Sequence, residues 1–203
     1  MLFRSRSLQN PELEEESRIL RAYYRVKIFR PDLQVMCDSL EYVETDSVFK
    51  FFGEPVLWSD ENQLTASQID VVMKDQQLHR MYLNGTALVI SRKDSSKFDQ
   101  MRGKEMTGYF TGNDLMKIDV RGNGQTIYYA EDSDVIVGAN KTFCSDLVIY
   151  LRNNKIARVN YTKKPDGTYY PLELFPQEEA QLADFKWVEQ WRPLTYRDVF
   201  VWK

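Results

Sequence analysis

His79, Cys37 and Cys144 are the only imidazole and the only two thiols in this 203-residue chain. That inventory excludes histidine-rich and four-cysteine zinc sites, and every Ser-His or Cys-His triad not built on His79. His79 stands between Leu78 and Arg80 in a β-type stretch, with no Cys or second His at metal-ligand spacing, so it reads as an exposed or rim side chain. Glu131, Asp132 and Asp134 lack the glycine and terminal glutamate of an EF-hand loop and read as an acidic loop. Gly122-Asn123-Gly124 is a bare G-x-G with no helix pattern behind it; a hairpin turn is expected there, not a phosphate cradle. Carboxylates are plentiful, yet no acid and base fall together in a pocket motif. The expectation is a protein without catalytic residues, metal or cofactor.

Whatever chemistry remains belongs to surfaces. Lys+Arg is 27 and Asp+Glu is 30, a net charge of −3, which argues against a dedicated nucleic-acid binder. No apolar run approaches the ~18 residues of a membrane-spanning helix. Met1-Leu2-Phe3-Arg4-Ser5-Arg6 carries charge with no apolar stretch behind it, so the chain is expected to be cytosolic or a piece whose signal has been removed.

Three segments are expected. Residues 1–21 form an N-terminal segment in which Asn10 caps a short helix begun by Pro11 and Glu12 and running to about Arg21. Residues 22–176 read as many short strands broken by turn chemistry, among them Asn84-Gly85 and Pro165-Asp166-Gly167. Residues 177–203 carry one or two helical turns after Pro176, then an aromatic plug around Phe185, Trp187 and Trp191.

The central segment repeats itself. A small residue is followed three positions later by an apolar one at Cys37–Leu40, Ala66–Ile69, Gly103–Met106 and Cys144–Leu147. After each anchor come a β-type stretch, a turn and a second β-type stretch. Uneven spacing between anchors and steadier spacing within units is the signature of insertions between stacked units. Cys37 and Cys144 occupy equivalent anchors three units apart, roughly 14 Å or more at ~4.8 Å per rung, too far for a disulfide.

These units resemble those of the OstA-like family of lipopolysaccharide-transport proteins, which includes LptA and the N-terminal domain of LptD. Ala66-Ser67-Gln68-Ile69 through Leu83-Asn84-Gly85-Thr86-Ala87 is the fullest copy, and Gln34 through Trp58 resembles the Bacteroidetes-type version. Gly53, Gly85 and Gly122 hold the family glycine; Asn160 takes its place in the last unit, and Tyr24-Arg25 replaces Gly-Asn in the first. The resemblance implies an all-β, elongated, V-shaped β-jelly roll of stacked repeats, with short helical segments near both termini. It further implies a periplasmic, outer-membrane-associated, non-enzymatic carrier that holds lipid A acyl chains between two sheets and joins other transport proteins, or copies of itself, through sheet edges.

The inner face is then expected to carry Leu40, Ile69, Val71, Leu78, Met81, Leu83, Met106, Leu115, Ile118, Val120, Leu147, Ile149, Ile156 and Val159, each buried methylene contributing about 0.8 kcal/mol. Lys74, Arg80, Arg92, Lys117 and Arg121 are expected at the rim, where cations meet lipid phosphates. Plain sandwich core and a solvated face are the alternatives for these two sets. A structural β-repeat scaffold without lipid, and a carbohydrate-active jelly roll using surface carboxylates, are the competing functions.

Overall fold

The computed structural model describes residues 2–4, 18–112, 114–152 and 155–201. Thirteen strands follow one another: β1 (Leu2–Arg4), β2 (Arg18–Phe29), β3 (Gln34–Val43), β4 (Val48–Phe52), β5 (Val56–Ser59), β6 (Asn62–Thr65), β7 (Gln68–Lys74), β8 (Gln77–Arg92), β9 (Phe98–Thr111), β10 (Asp114–Asp132), β11 (Val135–Arg152), β12 (Lys155–Thr162) and β13 (Asp166–Pro171). All pairings are antiparallel, and they join into one hydrogen-bonded sheet in the order β1-β2-β3-β4-β7-β8-β9-β10-β11-β12, with β5, β6 and β13 branching from it.

That sheet folds over on itself along a line of corners. Among the described residues seven adjacent pairs have left-handed backbone; two, Asp75-Gln76 and Ser133-Asp134, are hairpin tips, and the other five, Tyr24-Arg25, Gly53-Glu54, Gly85-Thr86, Gly122-Asn123 and Lys163-Lys164, are the corners. Each corner falls where a ladder slips register or a strand is interrupted, as at Tyr23/Val26, Asn84/Ala87 and Arg121/Gly124. Two successive left-handed residues there form a bulge that bends and twists the strand, sending its second half into another layer. The corners alternate along the sheet with the four repeat anchors. Ser67 N–H donates to Gly85 O (2.8 Å), and Ser145 N–H donates in the same way to Lys163 O (3.3 Å).

The bend divides the molecule into two sheets. Sheet I holds residues 26–37, 56–66, 87–103, 124–144 and 166–171; sheet II holds 18–23, 39–52, 68–84, 105–112, 114–121, 146–152 and 155–162. Strand alternation turns Val35, Leu57, Ala87 and Met101 of sheet I towards Leu40, Ile69, Leu83 and Met106 of sheet II, and all eight belong to one core cluster. The result is an all-β, jelly-roll-like fold.

The anchors are small because the sheets meet there. A Cβ on Gly103 would lie 2.4 Å from Val120 Cγ1, and one on Gly124 would lie 2.9 Å from Cys144 Sγ. Cys37 and Cys144 are buried, unbonded and on β3 and β11, six strand steps apart in the sheet order, about 29 Å along it. Burial pushes the Cys37 thiol up to about 12 and raises that of Cys144 as well, so both behave as small core residues.

Several expectations need correction. Arg18–Arg21 are strand, paired with β3, and the rest of the expected helix lies outside the described residues. Asn84-Gly85 and Gly122-Asn123-Gly124 are mid-strand corners in β8 and β10, where a hairpin turn was expected for the second. The last corner is Lys163-Lys164; Asn160 pairs squarely with Val148 and has no glycine-like role. The expected C-terminal helical turn exists as a 3-10 turn, Gln177–Glu179. The segment after Pro171 lies as a strap across the outer face of sheet I, where Leu182 packs on Ile127, Tyr129 and Ala139, and Val188 on Val56 and Trp58.

Candidate functional site

The inner face of sheet II is three apolar rows running across the strands. Beside the corner the register aligns Leu40, Phe51, Ile69, Leu83, Met106, Val120, Leu147 and Tyr161. One step outward lie Tyr42, Phe49, Val71, Met81, Gly108, Ile118, Ile149 and Val159. Nearest the hairpin tips lie Met73, Leu78, Phe110, Leu115, Leu151 and Ile156.

Exposure rises from row to row. Ile69 and Leu147 in the first row are 0% exposed, Val71 and Ile149 in the second are 7% and 6%, and in the third Met73, Leu78, Phe110, Leu115 and Leu151 are half-buried, with Ile156 on the last strand at 46%. Between β7 and β12 the first row is thus a packed core, and the third, half-buried row lines the margin between the two sheets.

Sheet I answers with a different wall. Its row near the corner is apolar: Ile28, Val35, Leu57, Leu64, Val89 and Met101. The same row turns polar at Thr126 and Thr142. Its outer row is polar throughout: Ser59, Asn62, Ser91, Asp99, Tyr128, Asn140 and Tyr169. Ser91 Oγ donates to Asn62 Oδ1 (2.5 Å), Thr142 Oγ1 to Asn140 Oδ1 (2.7 Å), and the backbone N–H of Tyr129 to Asp99 Oδ1 (2.8 Å). Lys93 lies at the tip of this row, 2.7 Å from Glu131 and 3.9 Å from Asp99. Burial raises the Asp99 carboxyl to about 6 despite the opposing pull of the Tyr129 N–H and Lys93.

All fourteen expected inner-face residues lie on sheet II, and the register places them in these rows. Ile156 departs from the expected burial because β12 is an edge strand paired only with β11, so nothing covers its outer flank. Leu115 is half-buried beside Phe110, its Cδ1 beneath the open backbone of Gly108.

The five expected rim cations do not form one rim. Arg80, Lys117 and Arg121 alternate with inward residues and therefore stand on the outer face of sheet II. There Lys117 Nζ pairs with Asp119 (3.0 Å) and lies 4.3 Å from the Tyr109 ring centre, with Arg80 at 5.4 Å from the same ring. Arg92 lies on the outer face of sheet I, ion-paired to Glu61 and to Glu189 of the strap, both at 2.5 Å. Lys74, next after the inward Met73 at the end of β7, is exposed and falls on the outer face of sheet II as well. His79 is half-buried in the bulge of β8 between Leu78 and Arg80. Among the described residues no cluster of three His, Cys, Asp or Glu could hold a metal ion.

The sheet I wall was missed by reading the sequence. Its apolar positions precede three of the four anchors by two residues (Val35, Leu64, Met101), with Thr142 at the fourth, a signal that the search downstream of the anchors passed over.

Neither a protein-family model nor a curated protein sequence matches the chain. Among solved structures it is similar to the crystal structure of LptH, the LptA-homologous periplasmic component of the conserved lipopolysaccharide transport device from Pseudomonas aeruginosa. The likeness has a TM-score of 0.53 at 14% identity and covers 68% of this chain and 95% of that one. At that identity it is a likeness of fold: this chain has an LptA-like β-architecture.

Proposed function

We propose that this protein is a non-enzymatic periplasmic carrier that receives an amphiphile of the lipopolysaccharide class and passes it towards the outer membrane. The observation that carries the reading is the two-faced margin between the sheets, half-buried apolar side chains on sheet II against a polar outer row on sheet I, which we read as a cleft for acyl chains. Acyl chains lie along Met73, Leu78, Phe110, Leu115, Leu151 and Ile156, where each methylene taken out of water contributes about 0.8 kcal/mol. The head group lies along the polar row of sheet I, with Lys93 as the cation at its tip. The fold likeness to LptH supports the same reading.

Partners follow from the edges. Among the described residues β12 and β13 each pair on one side only, with β11, leaving backbone donors and acceptors for a strand of another transport protein or another copy of this chain. The opposite edge is shielded in part by β1, which covers three residues of β2. Deleting residues 1–21 is expected to increase end-to-end association, read by light scattering; unchanged self-association contradicts that shielding role.

The decisive experiment is lipopolysaccharide binding by the purified chain. Glutamate at Ile69 or Leu83 would break the core, so the variant to use is Ile156→Glu, at the exposed end of the third row. Saturable binding that weakens about tenfold in Ile156→Glu and is unchanged in Leu194→Glu, an exposed strap position, is expected. No binding by folded wild type replaces the carrier with a lipid-free β-repeat scaffold.

A further inference from the structure

One straight row crosses the outer face of sheet I: Gln34, Trp58, Gln63, Ile90, Gln100, Ile127 and Lys141. Polar and apolar side chains alternate along it. Trp58 and Ile90 are 0% exposed and Ile127 1%, all beneath the strap. The polar members stand at one offset in the repeat, three residues before the anchors Cys37, Ala66, Gly103 and Cys144. Each touches the strap.

Two of them grip it identically. Gln63 Nε2 donates to Lys186 O (2.7 Å) while its Oε1 accepts from Val188 N–H (2.8 Å). Gln100 Nε2 donates to Ala180 O (2.8 Å) while its Oε1 accepts from Leu182 N–H (2.8 Å). In both, one amide holds the carbonyl of residue i−2 and the N–H of residue i, and the side chain of residue i is buried in the sheet: Leu182 at 5%, Val188 at 2%. The two sites are six strap residues and two strands apart. At the ends, Lys141 Nζ donates to Glu179 O (3.1 Å), and Arg192 Nε donates to Gln34 Oε1 (2.7 Å). Between them Arg102 pairs with Asp184 (2.7 Å), and Phe98 packs on Phe185 and Trp187.

We propose that the outer face of sheet I is a peptide-binding surface: it takes an irregular polypeptide with apolar residues six positions apart, grips its backbone through Gln63 and Gln100, and is occupied in cis by this chain's own C-terminal segment. The grip is built for a main chain. A primary amide has two N–H donors and a carbonyl acceptor; one N–H and the carbonyl complement one peptide carbonyl and one peptide N–H, and Gln100 gives its Nε2 to Phe98 O as well, so the grip reads no side chain. Selectivity comes from the two apolar sockets, lined by Ile127, Tyr129 and Ala139 for Leu182, and by Val56 and Trp58 for Val188. Resting on the carrier reading, one consequence follows: sheet I is the fixed wall of the cleft, and opening falls to sheet II, whose outer face carries no strap among the described residues.

The test uses the ligand-free full chain, so its failure is separate from failure of the carrier reading. Leu182→Asp with Val188→Asp is expected to speed backbone hydrogen exchange across residues 180–192 by about tenfold or more and to loosen β5 and β6, leaving sheet II unchanged. A synthetic peptide of residues 172–201, added in trans, is expected to restore slow exchange to β5 and β6. The same peptide carrying both aspartates is not, nor is any peptide when the chain also carries Gln63→Leu and Gln100→Leu. Absence of rescue while sheet II stays protected overturns the proposal. Should the double-aspartate chain lose sheet II protection too, Gln63→Leu with Gln100→Leu in the otherwise native chain decides it. Faster strap exchange is expected there, and an unchanged strap overturns the binding role of the glutamines.

Discussion

Sheet I and sheet II are cut from the same strands, yet they finish as opposite walls. Sheet I is apolar on its outside, where the strap covers Trp58, Ile90 and Ile127, and polar along its open inner margin, at Asn62, Ser91, Asp99 and Tyr128. Sheet II is apolar on its inside, row after row, and polar outside, where Tyr82, Thr107, Asp119 and Asn160 are half-buried among their neighbours and, among the described residues, no strap lies over them. Both obey the same period of two. The difference lies in what each face meets once the corners have folded one half over the other, and in the thirty residues left over to lie on sheet I.

The sharpest way to break the comparison is to truncate equivalent outer-face aromatics. Trp58→Ala, beneath the strap, is expected to cost about 3–5 kcal/mol, while Tyr82→Ala on the bare face of sheet II costs about 1 kcal/mol or less. Urea unfolding of the two variants measures both, and equal losses would mean that the strap does not make a second core.

A smaller effect tests the corners. Gly53→Ala places a Cβ 2.4 Å from Asp38 Cβ at a φ of +75°, and a loss of about 1–3 kcal/mol is expected. Circular dichroism melts would show it as a clear drop in midpoint. The last corner gives the converse: Lys164 sits at a φ of 55° with a full side chain, so Lys164→Gly is expected to change stability by less than about 0.5 kcal/mol, and in the stabilising direction.

Between these lies the polar margin of sheet I. Asp99 binds its proton more tightly in the folded state, with its carboxyl raised by burial to about 6 from a usual value of 3.8. The folded protein therefore carries more protons than the unfolded chain between about pH 4 and 6, and stability from this group falls as pH rises through that window. Asp99→Asn removes the dependence: relative to wild type it is expected to gain about 1–2 kcal/mol between pH 4 and pH 7. Parallel pH–stability curves for the two proteins would locate the buried charge elsewhere.

Much of sheet II was legible in the sequence. Leu78-x-x-Met81-x-Leu83 and Leu115-x-x-Ile118-x-Val120 share one template because each strand carries a bulge at the same place, His79 or Met116, before resuming alternation. The four anchors were legible too, since close approach of two sheets admits only Cys, Ala or Gly there. The rim cations were not. Whether Arg80 or Lys117 faces the cleft depends on counting parity through those bulges, and Arg92 meets Glu189 only because a segment 97 residues later returns to it. The corners misled for a related reason. Gly122-Asn123 has the composition of a hairpin turn, and only its ladder partners show that the strand continues through it.

By itself, then, the sequence determined the repeat, the small anchors, the apolar rows of one sheet and the absence of an identifiable catalytic motif, because these rest on residue type and local spacing. Tertiary structure decided which face of each strand is inside, that the glutamines at 34, 63 and 100 hold a strap, and that one cleft wall is polar. Those outcomes depend on contacts between residues 80 to 158 positions apart, and no local period encodes a partner at that distance.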